Sequence, residues 1–188
     1  MDRVPHIEIP PQFCSEESGE PMGRCVVCGS HVLAREDPYV IDKAYRCGQL
    51  LYEAVMCWAC LEWFETGQSR RSRHVLEQYM EANNYRDRHY EALLEFSAGR
   101  IEPWIANCGI TGRSLAGADT YQYKAVGMQR DILLLPQFPM GMSSDAADEM
   151  WRLLSPESAQ FWCQFSNDYL GVPPALMRYE TLEKNQVN

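Results

Sequence analysis

The 188-residue chain has no apolar stretch long enough to cross a bilayer. Its longest uninterrupted run of Ile, Leu and Val is Ile132-Leu133-Leu134-Leu135, against the roughly 20 apolar residues that a spanning helix needs. The N-terminus, Met1-Asp2-Arg3-Val4-Pro5, lacks the apolar core of a secretory signal. The expectation is a cytoplasmic protein with no membrane partner. Positive charge is also scarce: 17 Lys and Arg against 26 Asp and Glu give a net charge of −9, which opposes binding to a phosphate backbone. The four histidines, His6, His31, His74 and His89, are scattered. There is no G-x-S-x-G, no phosphate-cradling glycine loop and no H-E-x-x-H. The glycine-rich stretch Gly109 to Gly117 matches no phosphate-loop spacing and reads as turns. Paired acids such as Glu16-Glu17 and Asp148-Glu149 show no sign of converging. No catalytic residue is assigned; the chain reads as non-catalytic, with a hydrolytic enzyme as the least supported alternative.

What the sequence does hold is apolar mass and cysteine. Hydrophobic residues make up 46%, with 5 Trp and 10 Tyr, enough for a packed core. Of 8 cysteines, four form two C-x-x-C pairs, Cys25-Val26-Val27-Cys28 and Cys57-Trp58-Ala59-Cys60. Cys14, Cys47, Cys108 and Cys163 stand alone. Paired thiols at short spacing in an intracellular chain point to metal before disulfide. Two residues between thiols let both sulfurs face one ion, and Gly29 permits the tight turn that follows the first pair. The second pair follows a strand-like segment, Glu53-Ala54-Val55-Met56, and opens a helix, where thiolates meet the positive end of the dipole. Four thiolates in tetrahedral array favour zinc and leave no open position for a substrate. The reading is one structural Zn2+ held by Cys25, Cys28, Cys57 and Cys60. An iron–sulfur cluster also uses four thiolates, but two-plus-two spacing suits a single ion, and a redox dithiol needs only one isolated pair. His31 is an alternative ligand or a turn residue, Cys47 a stray ligand or a free thiol. Cys108 and Cys163 read as core residues.

A knuckle, then a β-hairpin, then a second pair on a helix's first turn resembles the treble-clef family of zinc domains. The likeness runs from about Arg24 to Gly67, with a weaker echo in residues 107 to 154. The pattern is also similar to bacterial zinc-ribbon-type proteins. Some treble-clef relatives, the HNH-type endonucleases, carry catalytic histidines on the hairpin and helix. Here the comparable segments, Tyr39 to Met56 and Leu61 to Glu65, contain none.

The expected fold class is α+β: a zinc-bound treble-clef-like unit followed by helices, then a degenerate, metal-free repeat of it. The divisions are an extended lead-in at 1–23, the zinc-binding half at 24–99, a connector at 100–106, the second half at 107–172 and a tail at 173–188. Strands are expected at Val32 to Ala34, Tyr39 to Tyr45, Leu50 to Met56, Tyr121 to Val126 and Asp131 to Leu135. Helices are expected from Cys57 to Gly67 and from Ser69 through Asn83. A third, after Asn84, would turn His89, Tyr90, Leu93, Leu94 and Phe96 inward. Pro103 is expected to keep the connector from being helical. The loop Pro136 to Met142 should lead to a helix from Ser144 through Leu154. Ser155-Pro156-Glu157 should start the last helix, which stops at Gly171. The repeat rests on Cys25 to Ser30 against Cys108 to Arg113, Tyr39 and Lys43-Ala44 against Tyr121 and Lys124-Ala125, and Leu50-Leu51 against Leu133-Leu134. The segment from Ser69 through Tyr79 compares likewise with that from Ser155 through Phe165. With three thiols missing from the second copy, apolar packing should replace the metal there. The expected role is a protein-interaction module or complex subunit contacting another protein through Trp58, Trp63, Trp104 or Trp151. The alternative is a nucleic-acid-associated protein using Arg70, Arg71, Arg73, Arg86 and Arg88 as its contact face.

Overall fold

The computed structural model describes residues 4–83, 89–97 and 99–172. It is a mixed α and β fold built on one antiparallel sheet. Strand β1 (His6–Glu8), β2 (Tyr39–Arg46), β3 (Gln49–Cys57), β4 (Thr120–Met128), β5 (Asp131–Leu133) and β6 (Met140–Ser143) are ordered β1-β5-β4-β2-β3, with β6 beside β5 on the same edge of β4. Helices α1 (Trp58–Thr66), α2 (Arg70–Asn83), α3 (Tyr90–Ser97), α4 (Glu102–Ile105), α5 (Ser144–Arg152) and α6 (Pro156–Phe165) complete it.

The β2–β3 hairpin turns through Cys47 and Gly48, both at positive φ (51° and 75°), the geometry that matches the twist of the paired strands. Along β2, Tyr39, Ile41, Lys43 and Tyr45 alternate with Val40, Asp42 and Ala44, as a period of two requires. At the centre of the sheet β2 pairs with β4, Asp42 opposite Lys124, and these two side chains form an ion pair. Lys43 points the other way into the core, fully buried. Its Nζ donates to Cys14 O at 2.6 Å and pairs with Glu16 (3.2 Å) and Glu53 (3.4 Å). That network fastens the N-terminal segment to the sheet.

Several expectations are corrected. Within the segment expected as a lead-in, the described residues pack: β1 pairs with β5, and Phe13, Ile9 and Cys14 join the main core with Ile41, Trp104 and Ile132. Val32 to Ala34 is not a strand; only the Arg24–His31 bridge lies next to it. Pro103 does not prevent a helix, because it sits in the first turn of α4, where its missing N–H costs no bond. His89 is exposed rather than inward. The loop before α5 contains β6, so β4's outer partner is two strands, β5 and β6, where β2 has the single strand β3. The side chains of Arg86, Arg88 and Phe96, and the tail at 173–188, lie outside the described residues.

The same backbone bonds occur twice. Cys25 N–H donates to Ser30 O, Gly29 N–H to Cys25 O, Val26 N–H to Val55 O and Val32 N–H to Gly23 O. Further along, Cys108 N–H donates to Arg113 O, Gly112 N–H to Cys108 O, Gly109 N–H to Gly141 O and Leu115 N–H to Ala106 O. The bridges Arg24–His31 and Cys25–Val55 have the counterparts Asn107–Ser114 and Cys108–Gly141, antiparallel and parallel in the same order. Helices α1 and α5, 9 residues each, follow the last residues of β3 and β6. A separate buried cluster surrounds the second turn: Cys108, Ile110, Leu115, Met140, Met142 and Ala146.

Candidate metal centre

The first pair of thiols sits in a turn closed by two bonds, Cys25 N–H to Ser30 O (2.9 Å) and Gly29 N–H to Cys25 O (2.8 Å). Gly29 has φ +72°, a conformation that costs glycine little and other L residues more. Val26 N–H donates to Val55 O at 2.8 Å, which stitches the turn to β3 just before Cys57. The second pair straddles a strand–helix junction. Cys57 ends β3 and occupies the N-cap of α1 in extended geometry, with no side chain bonded to the first-turn amides. Cys60 lies in the first turn of α1, which has no acidic residue. Thiolates bound to a cation at this junction would meet the positive end of the helix.

The four Sγ atoms all lie within 4.8 Å of one another. Zn–S bonds of about 2.3 Å in a tetrahedron put sulfurs about 3.8 Å apart; Cys28 Sγ and Cys57 Sγ are 3.8 Å apart. The donor set and spacing thus fit a zinc ion. Among the described residues this is the one group of three or more His, Cys, Asp or Glu so gathered. Cys25 (2% exposed) and Cys57 (9%) form the inner side, whereas Cys28 is exposed and Cys60 half-buried.

Neighbouring donors favour sulfur as thiolate. Cys57 N–H points at Cys25 Sγ at 3.4 Å, and Ser30 Oγ lies 2.8 Å from Cys28 Sγ. Hydrogen bonds from Ser30 bring the Cys28 thiol down to about 6. Burial, then the hydrogen bonds of the other three sulfurs, pushes Cys60 well above the usual thiol range. The two opposite shifts have one origin: the first proton leaves this cluster easily, but four thiolates side by side repel unless a cation joins them.

The remaining candidates are not gathered here. His31 is exposed on the strand-like exit of the turn, and Cys47 is exposed in the hairpin turn. Cys108 is buried in the second cluster. Arg70, Arg71 and Arg73 are exposed at the start of α2. Trp58 (43% exposed) and Trp63 (45%) lie on α1 beside the thiols. Trp104 is a core residue at 1% and is removed from the set of contact aromatics. Ser30 escaped the sequence reading; its only signal was a hydroxyl two residues after a candidate ligand. No family model matches the chain, and no curated protein or solved structure shows significant similarity to it.

Proposed function

We propose that the chain is a non-catalytic protein-interaction module or complex subunit whose first half is a treble-clef-like unit held by one structural zinc ion. The observation that carries this reading is the convergence of four cysteine sulfurs within 4.8 Å. All four tetrahedral positions would be filled by protein, so the metal has no open site for a substrate and serves the fold. Binding to structural four-ligand sites is worth roughly 10–16 kcal/mol in finger peptides, comparable to the whole net stability of a domain. The ion would reinforce the join of the turn at Cys25 to the end of β3, which Val26 N–H and Val55 O already make, and fasten the start of α1 to both.

The interaction surface in this reading is α1. Trp58 and Trp63 are large exposed hydrophobics on the helix that the metal anchors, and such aromatics commonly anchor interfaces. A second reading places nucleic acid against the exposed Arg70, Arg71 and Arg73. Retention on a polyanion column that falls with salt would favour it, while the net charge of −9 argues for a protein partner.

The proposal also takes the second half as a degenerate copy of the first, supported by the two matching sets of backbone bonds. Cobalt substitution tests the metal part. A Co2+-loaded chain should show the intense visible bands of a tetrahedral thiolate field, lost in Cys57→Ser. A weak octahedral spectrum would contradict the four-thiolate assignment.

A further inference from the structure

The second turn places a hydroxyl, a hydroxyl and a methyl where the first places three thiols. Spacing fixes the correspondence. In the turns, Cys108 answers Cys25 and Arg113 answers Ser30, by the bonds each makes; Thr111 then stands where Cys28 stands. At the strand–helix junctions, Cys57 and Ser143 are the N-caps of two helices of equal length. Three residues into each helix come Cys60 and Ala146.

The chemistry agrees with the spacing. The hydroxyls of Ser143 and Thr111 both hydrogen-bond to Cys108 Sγ, so the sulfur and two of its three counterpart positions converge on one point. Ser143 Oγ also accepts from Ala146 N–H at 3.4 Å, and Arg113 N–H donates to Thr111 Oγ1 at 3.4 Å. Ala146 is fully buried and shares the apolar cluster with Cys108. Burial works against ionisation of Cys108, but hydrogen bonds from the side chains and backbone of Ser143 and Thr111 together outweigh it and leave this thiol below its usual range.

We infer that Cys108, Thr111, Ser143 and Ala146 form a metal-free replica of the zinc centre, in which two hydroxyl–sulfur hydrogen bonds and an apolar contact replace the ion. The inference rests on the zinc reading of Cys25, Cys28, Cys57 and Cys60, since the replica is defined by that site. It is not read from Cys108 alone: the backbone bonds, both bridges and the helix cap recur around it. It refines the expectation that apolar packing alone takes over from the metal. Its chemical consequence is that the second locus keeps the backbone of a tetrahedral soft-metal site and lacks only sulfur. Zn2+ or Cd2+ is the class of ion it would take once sulfur is supplied.

The experiment is metal counting on the full chain. Thr111→Cys, Ser143→Cys and Ala146→Cys are introduced together, the protein is loaded with Zn2+, and bound metal is measured after removal of free ion. Wild type is expected to retain one equivalent and the triple variant two. Because a larger side chain at the fully buried Ala146 risks overpacking, Thr111→Cys with Ser143→Cys is made as well. With Cys108 it offers three thiols and is expected to bind a second, weaker equivalent. Adding Cys108→Ser to the double variant leaves two thiols and should return the count to one. One equivalent in both variants overturns the inference, and so does loss of fold in both, because a replica of a thiol site accepts thiols. If wild type itself holds no zinc, the zinc reading of the first site fails. A single equivalent in the triple variant, absent from wild type, would then still support the replica.

Discussion

Ser69 and Ser155, 86 residues apart, face each other with their hydroxyl oxygens at 3.0 Å. Each starts a helix, and each hands its backbone N–H to the other helix. Ser69 N–H donates to Ser158 Oγ (2.9 Å), and Ser155 N–H donates to Ser72 Oγ (2.8 Å). Ser72 and Ser158 are fully buried. The four hydroxyls are bonded to one another, so the starts of α2 and α6 meet on a reciprocal polar contact.

Removing either buried acceptor leaves a partner's amide without its bond. Ser158→Ala and Ser72→Ala should each cost about 1–3 kcal/mol, read as a lower urea midpoint at unchanged slope. The double variant should depart from additivity, because the four hydroxyls act as one network. Two changes that each leave the midpoint unmoved would show that this contact does not stabilise the fold.

Lys43 makes a second prediction. It is a fully buried cation held by Glu16, Glu53 and Cys14 O. Lys43→Met fills similar space but leaves Glu53 (18% side-chain exposure) without its cation. Breaking a buried pair from one side costs about 3–5 kcal/mol. Adding Glu53→Gln should recover part of that loss. Equal stability of the single variant and wild type would contradict the network's role.

The same network fixes a pH dependence. The Glu16 carboxyl is held below its usual 4.5, first by the Tyr45 hydroxyl and then by Lys43. A folded value below the unfolded one means the contribution is complete above the ordinary carboxylate range. It is lost as acid takes the pH down through the lowered value. Tyr45→Phe should move the Glu16 titration back toward 4.5, as followed by carboxyl-carbon NMR. No movement would mean that the 2.8 Å bond between them does not form in solution.

Ser30 links the candidate metal to its surroundings. Its hydroxyl sits 2.8 Å from Cys28 Sγ, and partners of this kind orient and tune metal ligands. Ser30→Ala should weaken zinc retention by about tenfold to a hundredfold in competition with a chromophoric chelator, with the fold of the loaded protein unchanged. Wild-type affinity in the variant would remove Ser30 from the site.

The parts legible in the sequence were those with local causes. Two C-x-x-C pairs and Gly29 located the thiols, and the structure gathers them. Ser155-Pro156-Glu157 located a helix start, where Ser155 Oγ does accept from Ser158 N–H. Tyr39 to Tyr45 showed the alternation of a strand. The parts that were not legible depend on distant partners. β6 is 4 residues, Met-Gly-Met-Ser, buried without alternation, and exists because β4 offers it an edge. Residues 5–14 look like a loose lead-in until Lys43 and β5 are in place to hold them. Pro103 reads as a helix breaker unless its position in the first turn is known. The serine contact had a faint signal, S-x-x-S at both Ser69 and Ser155, but nothing in one dimension says that the two motifs touch. Thr111 and Ser143 were hidden for the same reason: their meaning comes from residues they replace.

The central claim is that four sulfurs hold one ion and that the ion holds the first half together. Metal analysis of protein purified from zinc-containing medium, followed by thermal unfolding with and without a strong chelator, tests it most directly. The account predicts one zinc per chain in wild type, none in Cys57→Ser, and a large fall in melting temperature on chelation. Metal-free wild-type protein whose melting temperature is the same with and without chelator would contradict it.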